Sequence, residues 1–165
     1  MDSIGRSLGT GWLFLLIVAT SGHAQQVTGS QGPERTLRRD ARVEIRVTDT
    51  STPLRVDVEV ADDKQEQDRG LMGRRLAGDD EGMLFVYSKA ASRIFWMRDT
   101  PVPLDILFFD SDGKLIALIP KAEPLSDRLL KSRLPAQFVL EVPGGFADRH
   151  AVTLGARLRL IKRGN

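Results

Sequence analysis

The sequence predicts an all-β fold: a single-domain β-sandwich, a jelly-roll-like domain or a partly closed barrel of about eight strands, with one or two short helices. Three observations support this prediction. Apolar residues recur at every second position in several short segments, and Gly, Pro and Asp residues separate those segments. No segment shows the long 3.6-residue periodicity of an amphipathic helix.

The first elements follow from alternation and turn chemistry. Residues 43–47 and 54–60 each alternate apolar with charged side chains, which predicts two half-buried strands. The turn-forming residues 49–53 lie between them, so the pair is expected to form a hairpin. Asp63 is typical of a helix N-cap and predicts a short helix over residues 64–72.

The later elements are more apolar. Residues 83–87 are apolar at successive positions, and residues 93–98 are so at Phe95, Trp96 and Met97, which predicts two strands buried on both faces. Residues 104–109 and 114–119 flank an Asp-Ser-Asp-Gly sequence, and glycine after aspartate accepts the positive φ of a tight hairpin turn. The remaining predicted elements are a strand over 138–142, a helical turn around 146–150 and a final strand over 157–161.

The N-terminus is typical of a secretory signal peptide. Residues 1–24 contain the basic Arg6, an apolar run over 12–19, and small residues at 22 and 24 where a signal peptidase cleaves. The run is shorter than the roughly 20 apolar residues that span a bilayer. A cleaved signal is therefore favoured over a retained N-terminal anchor, and no stable membrane insertion is expected after cleavage. The chain is expected to be exported, either periplasmic or secreted.

The rest of the chain is long enough for one domain. Residues 25–41 are mostly polar and include Gly29, Gly32 and Pro33, which predicts a flexible lead-in, and residues 42–162 form the predicted β-rich domain. The sequence has no cysteine, which excludes disulfides, thiolate metal sites and cysteine nucleophiles. The net charge of +2 gives no reason to expect nucleic-acid binding. No metal site and no cofactor is predicted.

Four sequence blocks in the middle of the chain carry a family resemblance. They are Arg69-Gly70-Leu71-Met72, Glu81-Gly82-Met83-Leu84-Phe85, Phe95-Trp96-Met97 and Pro103-Leu104-Asp105-Ile106. In this order they resemble the domain-of-unknown-function family 192, a set of small, often exported prokaryotic proteins. The resemblance extends from about Val58 to about Leu160 and implies a compact β-rich domain, without implying a reaction.

Two positions depart from that family's pattern. The family usually carries Asn after the basic residue of its FWM block, whereas this chain has Asp99. An amide both donates and accepts hydrogen bonds, whereas an ionised carboxylate only accepts. The family's C-terminal Gly-Asp pair is Gly155-Ala156 here, so any role of that carboxylate is missing from this chain.

The candidate ligand-binding residues lie in two stretches, Arg69–Glu81 and Arg93–Asp105. They are Arg69, Arg74, Glu81, Trp96, Arg98, Asp99 and Asp105. On a strand, Trp96 and Arg98 share one face, and Asp105 lies beside apolar residues, where it needs donors.

Two interpretations of this set stay open. The functional one is a shallow polar pocket with an aromatic floor, which binds a small polar ligand such as a sugar or a carboxylated metabolite, or an envelope component. The structural one is a buried Arg–carboxylate network that fixes loop geometry, a common role of buried charge pairs.

The sequence favours a non-enzymatic binding module, and enzymatic activity is left undecided. One alternative is a carboxylate-dependent hydrolase, for example one resembling a glycoside hydrolase, that uses Asp99 and Asp105, with Glu81 as a third candidate. A second alternative is an accessory factor that binds another protein through an exposed sheet edge.

Overall fold

The computed structural model describes residues 36–162, which form nine strands and two short helices. The predicted signal peptide and most of the predicted lead-in lie outside these residues. The strands are β1 (Ala41–Arg46), β2 (Leu54–Ala61), β3 (Glu81–Ala91), β4 (Ile94–Phe95), β5 (Leu104–Phe109), β6 (Leu115–Ala122), β7 (Leu130–Lys131), β8 (Ala136–Pro143) and β9 (Arg157–Lys162). The helices are α1 (Lys64–Arg69) and α2 (Phe146–Arg149).

Seven strands form one curled sheet in the order β6-β5-β8-β3-β2-β1-β9. Neighbouring strands are antiparallel except β2 and β3, which are parallel and are connected through α1. The two ends of the sheet meet, because a β-bridge links Lys114 to Arg157. The N–H of Leu115 also donates to the carbonyl oxygen of Ala156 at 2.8 Å. The all-β prediction is confirmed, in the form of a partly closed barrel.

The central strands β3, β5 and β8 are buried on both faces. One face belongs to a first hydrophobic cluster, which includes Leu84, Leu107, Leu140, Val142 and Phe146 of α2. The opposite face belongs to a second cluster, which includes Phe85, Ile106, Phe108, Val139, Leu71 and Phe95. The turn after α1 and the small sheet β4–β7 supply the cover of this second face.

The predicted strand over residues 93–98 is much shorter in the structure. Only Ile94 and Phe95 form a strand, β4, which pairs with β7 rather than with the large sheet. After Phe95 the chain turns, because the N–H of Thr100 donates to the carbonyl oxygen of Met97 and Asp99 has a φ of 54°. The apolar side chains of this segment therefore cover the second cluster instead of lying within the large sheet.

The predicted helix over residues 64–72 ends earlier, at Arg69. Asp63 Oδ1 accepts a hydrogen bond from the Glu66 N–H at 2.8 Å and caps the first turn. Gly70 ends the helix with a φ of 49°, in the left-handed range that glycine tolerates. Within residues 36–162, neither helix is long and apolar enough to cross a bilayer.

The predicted hairpin between β5 and β6 is present. Asp110 Oδ1 accepts hydrogen bonds from the N–H groups of Asp112 and Lys114, both at 2.9 Å. Gly113 has a φ of 73°, and its carbonyl oxygen accepts from the Leu158 N–H at 2.7 Å. The hairpin turn thus contributes directly to the contact that brings β6 and β9 together.

Replacing Gly113 by alanine should weaken this closure. The new Cβ would lie 2.4 Å from the carbonyl oxygen of Leu158, so the backbone must shift. In addition, the φ of 73° at this position is unfavourable for alanine. We expect Gly113→Ala to lower the free energy of unfolding in urea by about 3 kcal/mol. Gly73→Ala is the control, since its φ is 68° but no heavy atom lies within 4 Å, and it should cost about 1 kcal/mol. Equal losses in the two variants would contradict the steric argument.

Candidate functional site

The candidate site is a pocket of about 430 Å³ between α1 and β4, on the face of the sheet that bears the second cluster. We call it the α1–β4 pocket. Its lining comes from α1 and the following turn, β3, the β4 segment and β8, and includes Gln67, Arg69, Tyr87, Arg93, Trp96 and Glu141. Its volume is in the range of small-molecule sites.

The helical wall of the pocket is fixed to β3. Gln67 Nε2 donates to the carbonyl oxygen of Val86 at 3.0 Å. Gly70 packs closely on the ring of Phe85: a Cβ added at Gly70 would lie 3.3 Å from Cζ of Phe85. These contacts place Arg69 at the pocket, with an exposed side chain that forms no hydrogen bond or ion pair within residues 36–162.

The opposite wall is fixed by aromatic packing. The ring centroid of Phe95 lies 5.0 Å from that of Phe85 and 5.8 Å from that of Phe108, in edge-to-face arrangements. Because Phe95 is directed into the cluster, the next residue, Trp96, remains 42% exposed. The pocket therefore has an indole ring that solvent and a ligand can reach.

Arg93 lies over the ring of Tyr87, with 3.5 Å between its guanidinium carbon and the ring centroid. Its Nε donates to the carbonyl oxygen of Ala136 at 3.0 Å, and Nη2 donates to that of Lys89. Burial raises the pKa of Tyr87 to about 12, so its hydroxyl stays neutral. Arg93 is held in place by carbonyl groups and a ring, and no described carboxylate pairs with it.

Glu141 on β8 is the buried carboxyl group of the pocket. The residue is 4% exposed, and its Oε2 has no hydrogen-bond partner among the described residues. Burial raises its pKa to about 8, because an apolar environment disfavours the ionised form. At neutral pH the side chain is therefore mostly a neutral acid.

Of the predicted site residues, Arg69 and Trp96 line the α1–β4 pocket together. Arg98 is adjacent to it: its guanidinium carbon lies 4.7 Å from the Trp96 ring centroid, and its Nε lies 2.6 Å from Asp127 Oδ1. Asp99 has an exposed side chain, while its carbonyl oxygen accepts from the Gly73 N–H at 2.7 Å. The positive φ of Asp99 is one that Asn and Asp adopt more readily than other non-glycine residues, so either residue satisfies this turn.

Arg74 and Glu81 belong to separate ion pairs beside β2. Arg74 is buried and donates from both terminal nitrogens to Glu59, at 3.0 and 2.5 Å. Burial opposes ionisation of Glu59, but the hydrogen bonds from Arg74 lower its pKa overall. Glu81 accepts from the Ala77 N–H at 2.9 Å and from Arg39 at 2.7 Å, and these contacts lower the pKa of Glu81. Both residues fix loop geometry.

Asp105 lies on the opposite face of the sheet from the α1–β4 pocket. Asp105 is paired with Val142, and Ile106 with Glu141, and successive residues of a strand point to opposite faces. The Asp105 carboxylate is fully buried and accepts three backbone N–H bonds at 2.7–2.8 Å. The donors are Lys121, Gly145 and Ala147. This carboxylate fixes the start of α2 and the end of β6.

Sequence reasoning missed three pocket residues: Tyr87, Arg93 and Glu141. A usable signal exists for Glu141, since it is the only charged side chain in the apolar strand over residues 138–142. A strand with apolar residues at both alternating positions is covered on both faces, so a carboxyl within it must be buried. Among the described residues, no three His, Asp or Glu side chains are grouped so that they could hold a metal ion.

The pattern of strands and sequence blocks agrees with a known family. The profile of the DUF192 family, described as "Uncharacterized ACR", matches residues 45–160. The chain belongs to the DUF192 family. The resemblance seen in the sequence blocks is thereby confirmed.

Two solved structures are similar to this DUF192 chain. A Sinorhizobium meliloti 1021 protein, described as a candidate transcription regulator, has 35% identity and a TM-score of 0.71, covering 77% of this chain and 97% of its own. A Novosphingobium aromaticivorans DSM 12444 protein of unknown function has 34% identity and a TM-score of 0.67, covering 72% and 83%. No curated protein matches the DUF192 chain. The family description names no reaction. Any function of the chain must therefore be inferred from the residues that line the pocket.

The role of Asp105 in this DUF192 chain can be separated from that of Asp99 by two amide substitutions. Asp105→Asn places an NH₂ group among three N–H donors, so we expect a loss of about 2–4 kcal/mol in the free energy of unfolding. Asp99→Asn should change it by less than about 0.5 kcal/mol, because the side chain is exposed and Asn accepts the same φ. Urea unfolding followed by circular dichroism measures both. Similar stabilities for the two variants would contradict a structural role for Asp105.

Glu141 should make stability depend on pH. The folded chain keeps a proton up to about pH 8, whereas the unfolded chain releases it near the ordinary pKa of 4.5. The contribution of Glu141 to the free energy of unfolding is therefore fully present below the pKa of the unfolded chain. It falls as the pH rises toward 8, by up to about 1.4 kcal/mol per pH unit. Glu141→Gln removes this dependence. The free energy of unfolding of the variant minus that of the wild type should therefore rise between pH 5 and 8 and then level off. A difference that stays flat in urea titrations across this range would exclude a buried titrating carboxyl.

Proposed function

We propose that the chain is an exported domain that binds a small polar ligand, free or as part of an envelope component, in the α1–β4 pocket. Export is inferred from the signal-like residues 1–24. Binding is inferred from the pocket, where the positively charged last residue of α1, Arg69, and an exposed ring, Trp96, border one cavity of about 430 Å³.

The observation that carries the proposal is the unsatisfied carboxyl of Glu141. A buried polar atom without a partner costs about 1–3 kcal/mol, and such atoms are rare in native proteins. Oε2 of Glu141 is such an atom among the described residues, and its side chain lines the pocket. A ligand that supplies the missing hydrogen bond recovers this cost on binding.

The hydrolase alternative gains no support from the geometry. The Asp105 carboxylate is fully buried, accepts three backbone hydrogen bonds and lies on the other face of the sheet. Asp99 is exposed in a turn outside the lining of the pocket. The regulator description belongs to the Sinorhizobium protein. In this chain 24 basic and 22 acidic side chains leave a net charge of only +2, which gives no reason to expect nucleic-acid binding.

A protein partner is the second candidate, and one observation favours it. A cleft of about 770 Å³ runs along β6, the end strand of the large sheet, and is bordered by the exposed side chains of Leu129 and Leu154. End strands can pair with an extended segment of another protein. We call this feature the β6 cleft.

A thermal-unfolding screen of sugars, nucleotides and organic acids tests the proposal. We expect at least one compound to raise the Tm of the chain, because a ligand that binds only the folded state stabilises it. Trp96→Ala removes the exposed ring and should weaken that compound about tenfold, measured by calorimetric titration.

Leu154→Ala is the matched control, because it also truncates an exposed apolar side chain but at the β6 cleft. Its affinity for the same compound should equal that of the wild type. A screen without any stabilising compound would contradict the proposal. Affinity lost in Leu154→Ala and retained in Trp96→Ala would move binding to the β6 cleft.

A further inference from the structure

The charges around the α1–β4 pocket are unbalanced. The charged and ionisable side chains of its lining are Lys64, Asp68, Arg69, Arg93, Tyr87 and Glu141. Lys64 Nζ lies 2.5 Å from Asp68 Oδ1, so these two charges compensate each other. Neither Arg69 nor Arg93 forms an ion pair with any residue in the described range 36–162. Two guanidinium groups therefore border the pocket without an anionic partner.

The neutral groups of the pocket also act as donors. Burial raises the pKa of Glu141 to about 8 and that of Tyr87 to about 12, so both keep their protons at pH 7. A protonated carboxyl and a phenol each offer an O–H donor. The other carboxylate in the described lining, Asp68, is already paired with Lys64.

The pocket also has an apolar wall. Phe85, Ile94, Phe95 and Trp96 line it, and Ile94 and Trp96 are exposed. Apolar surface of this kind stabilises a ligand body by about 25 cal/mol for each Å² removed from water. A ligand that fits the pocket combines an acceptor-rich head with an apolar body.

We propose that the ligand is a small organic acid, whose carboxylate is recognised by Arg69, Arg93 and the buried Glu141 side chain, and whose body packs against Trp96 and Phe95. This inference rests on the proposed function, because it names the class of ligand for the same pocket. Charge-assisted bonds from guanidinium to carboxylate are about twice as strong as neutral ones. An ammonium ligand is disfavoured, since it meets two unpaired positive charges.

Three compounds with the same ring test the head group: phenylacetate, phenylacetamide and phenethylamine. By calorimetric titration at pH 7 we expect phenylacetate to bind at least about tenfold more tightly than the amide, and the amine to bind most weakly. Affinities that are equal for the three, or highest for the amine, would overturn the inference.

Two variants that each remove one arginine charge test whether Arg69 contacts the ligand directly. Arg69→Gln should weaken phenylacetate about three- to fivefold and leave phenylacetamide unchanged, because Arg69 is exposed and partly screened. Arg75→Gln removes the same charge from an exposed position outside the pocket lining and should leave both compounds unchanged. Equal effects of the two variants would indicate a general charge effect and contradict direct recognition.

The donor role of Glu141 has its own pair of variants. Glu141→Gln keeps an N–H donor and should retain phenylacetate binding at pH 7, whereas Glu141→Leu removes the donor and should weaken it several-fold. Loss in both variants with unchanged folding, or loss in neither, would remove Glu141 from the recognition step.

Failure of this inference is distinguishable from failure of the proposed function. If phenylacetate does not bind but a sugar or nucleotide raises the Tm in a Trp96-dependent manner, the pocket binds another ligand class and the organic-acid inference is wrong. If no compound of the screen binds, the proposed function is wrong as well.

Discussion

The burial of both faces of the β3–β8–β5 strand group is the constraint on which the rest of the fold depends. In β8, Leu140 and Val142 belong to the first cluster, whereas Val139 belongs to the second. A sheet that is apolar on both faces requires two covers. The curl of the sheet and α2 provide the first, and the turn after α1 together with β4–β7 provides the second. The α1–β4 pocket lies where the two parts of this second cover leave a gap, and Glu141 lies at that gap.

Much of the fold could be predicted because its signals are local. Alternation placed β1, β2 and β9, and the Asp-Gly turn placed the β5–β6 hairpin, since side-chain period and turn conformation depend on neighbouring residues. The parallel pairing of β2 with β3 and the pairing of β4 with β7 depend on contacts distant in sequence. Residues 93–98 show the limit most clearly: an apolar segment that covers a sheet has the same composition as a strand within it.

The candidate site was only partly predictable for the same reason. Asp105 and Glu141 look alike in sequence, since each is a carboxylate within an apolar strand. The register of β5 on β8 places them on opposite faces. Asp105 then meets the N–H groups that precede and begin α2, whereas Glu141 meets the apolar cover and retains an oxygen without a described partner. Residue types cannot supply this register. Of the residues that the sequence predicts for a site, Arg69 and Trp96 therefore line this pocket, whereas Asp105 lies on the other face and Glu141 was not predicted.

These two carboxyl groups show how a structural and a candidate functional group differ within one fold. Three backbone N–H bonds stabilise the buried charge of Asp105, and the same bonds leave little capacity for a ligand. Glu141 is also buried, but burial raises its pKa to about 8, and the lining that contains it also contains Arg93 and Arg69, which have no carboxylate partner among the described residues. A fold that required only stability would be better served by an apolar side chain at this position. The proposed ligand, which carries hydrogen-bond acceptors and an apolar body, would account for the combination of an unsatisfied acid, unpaired guanidinium groups and an exposed indole in one lining.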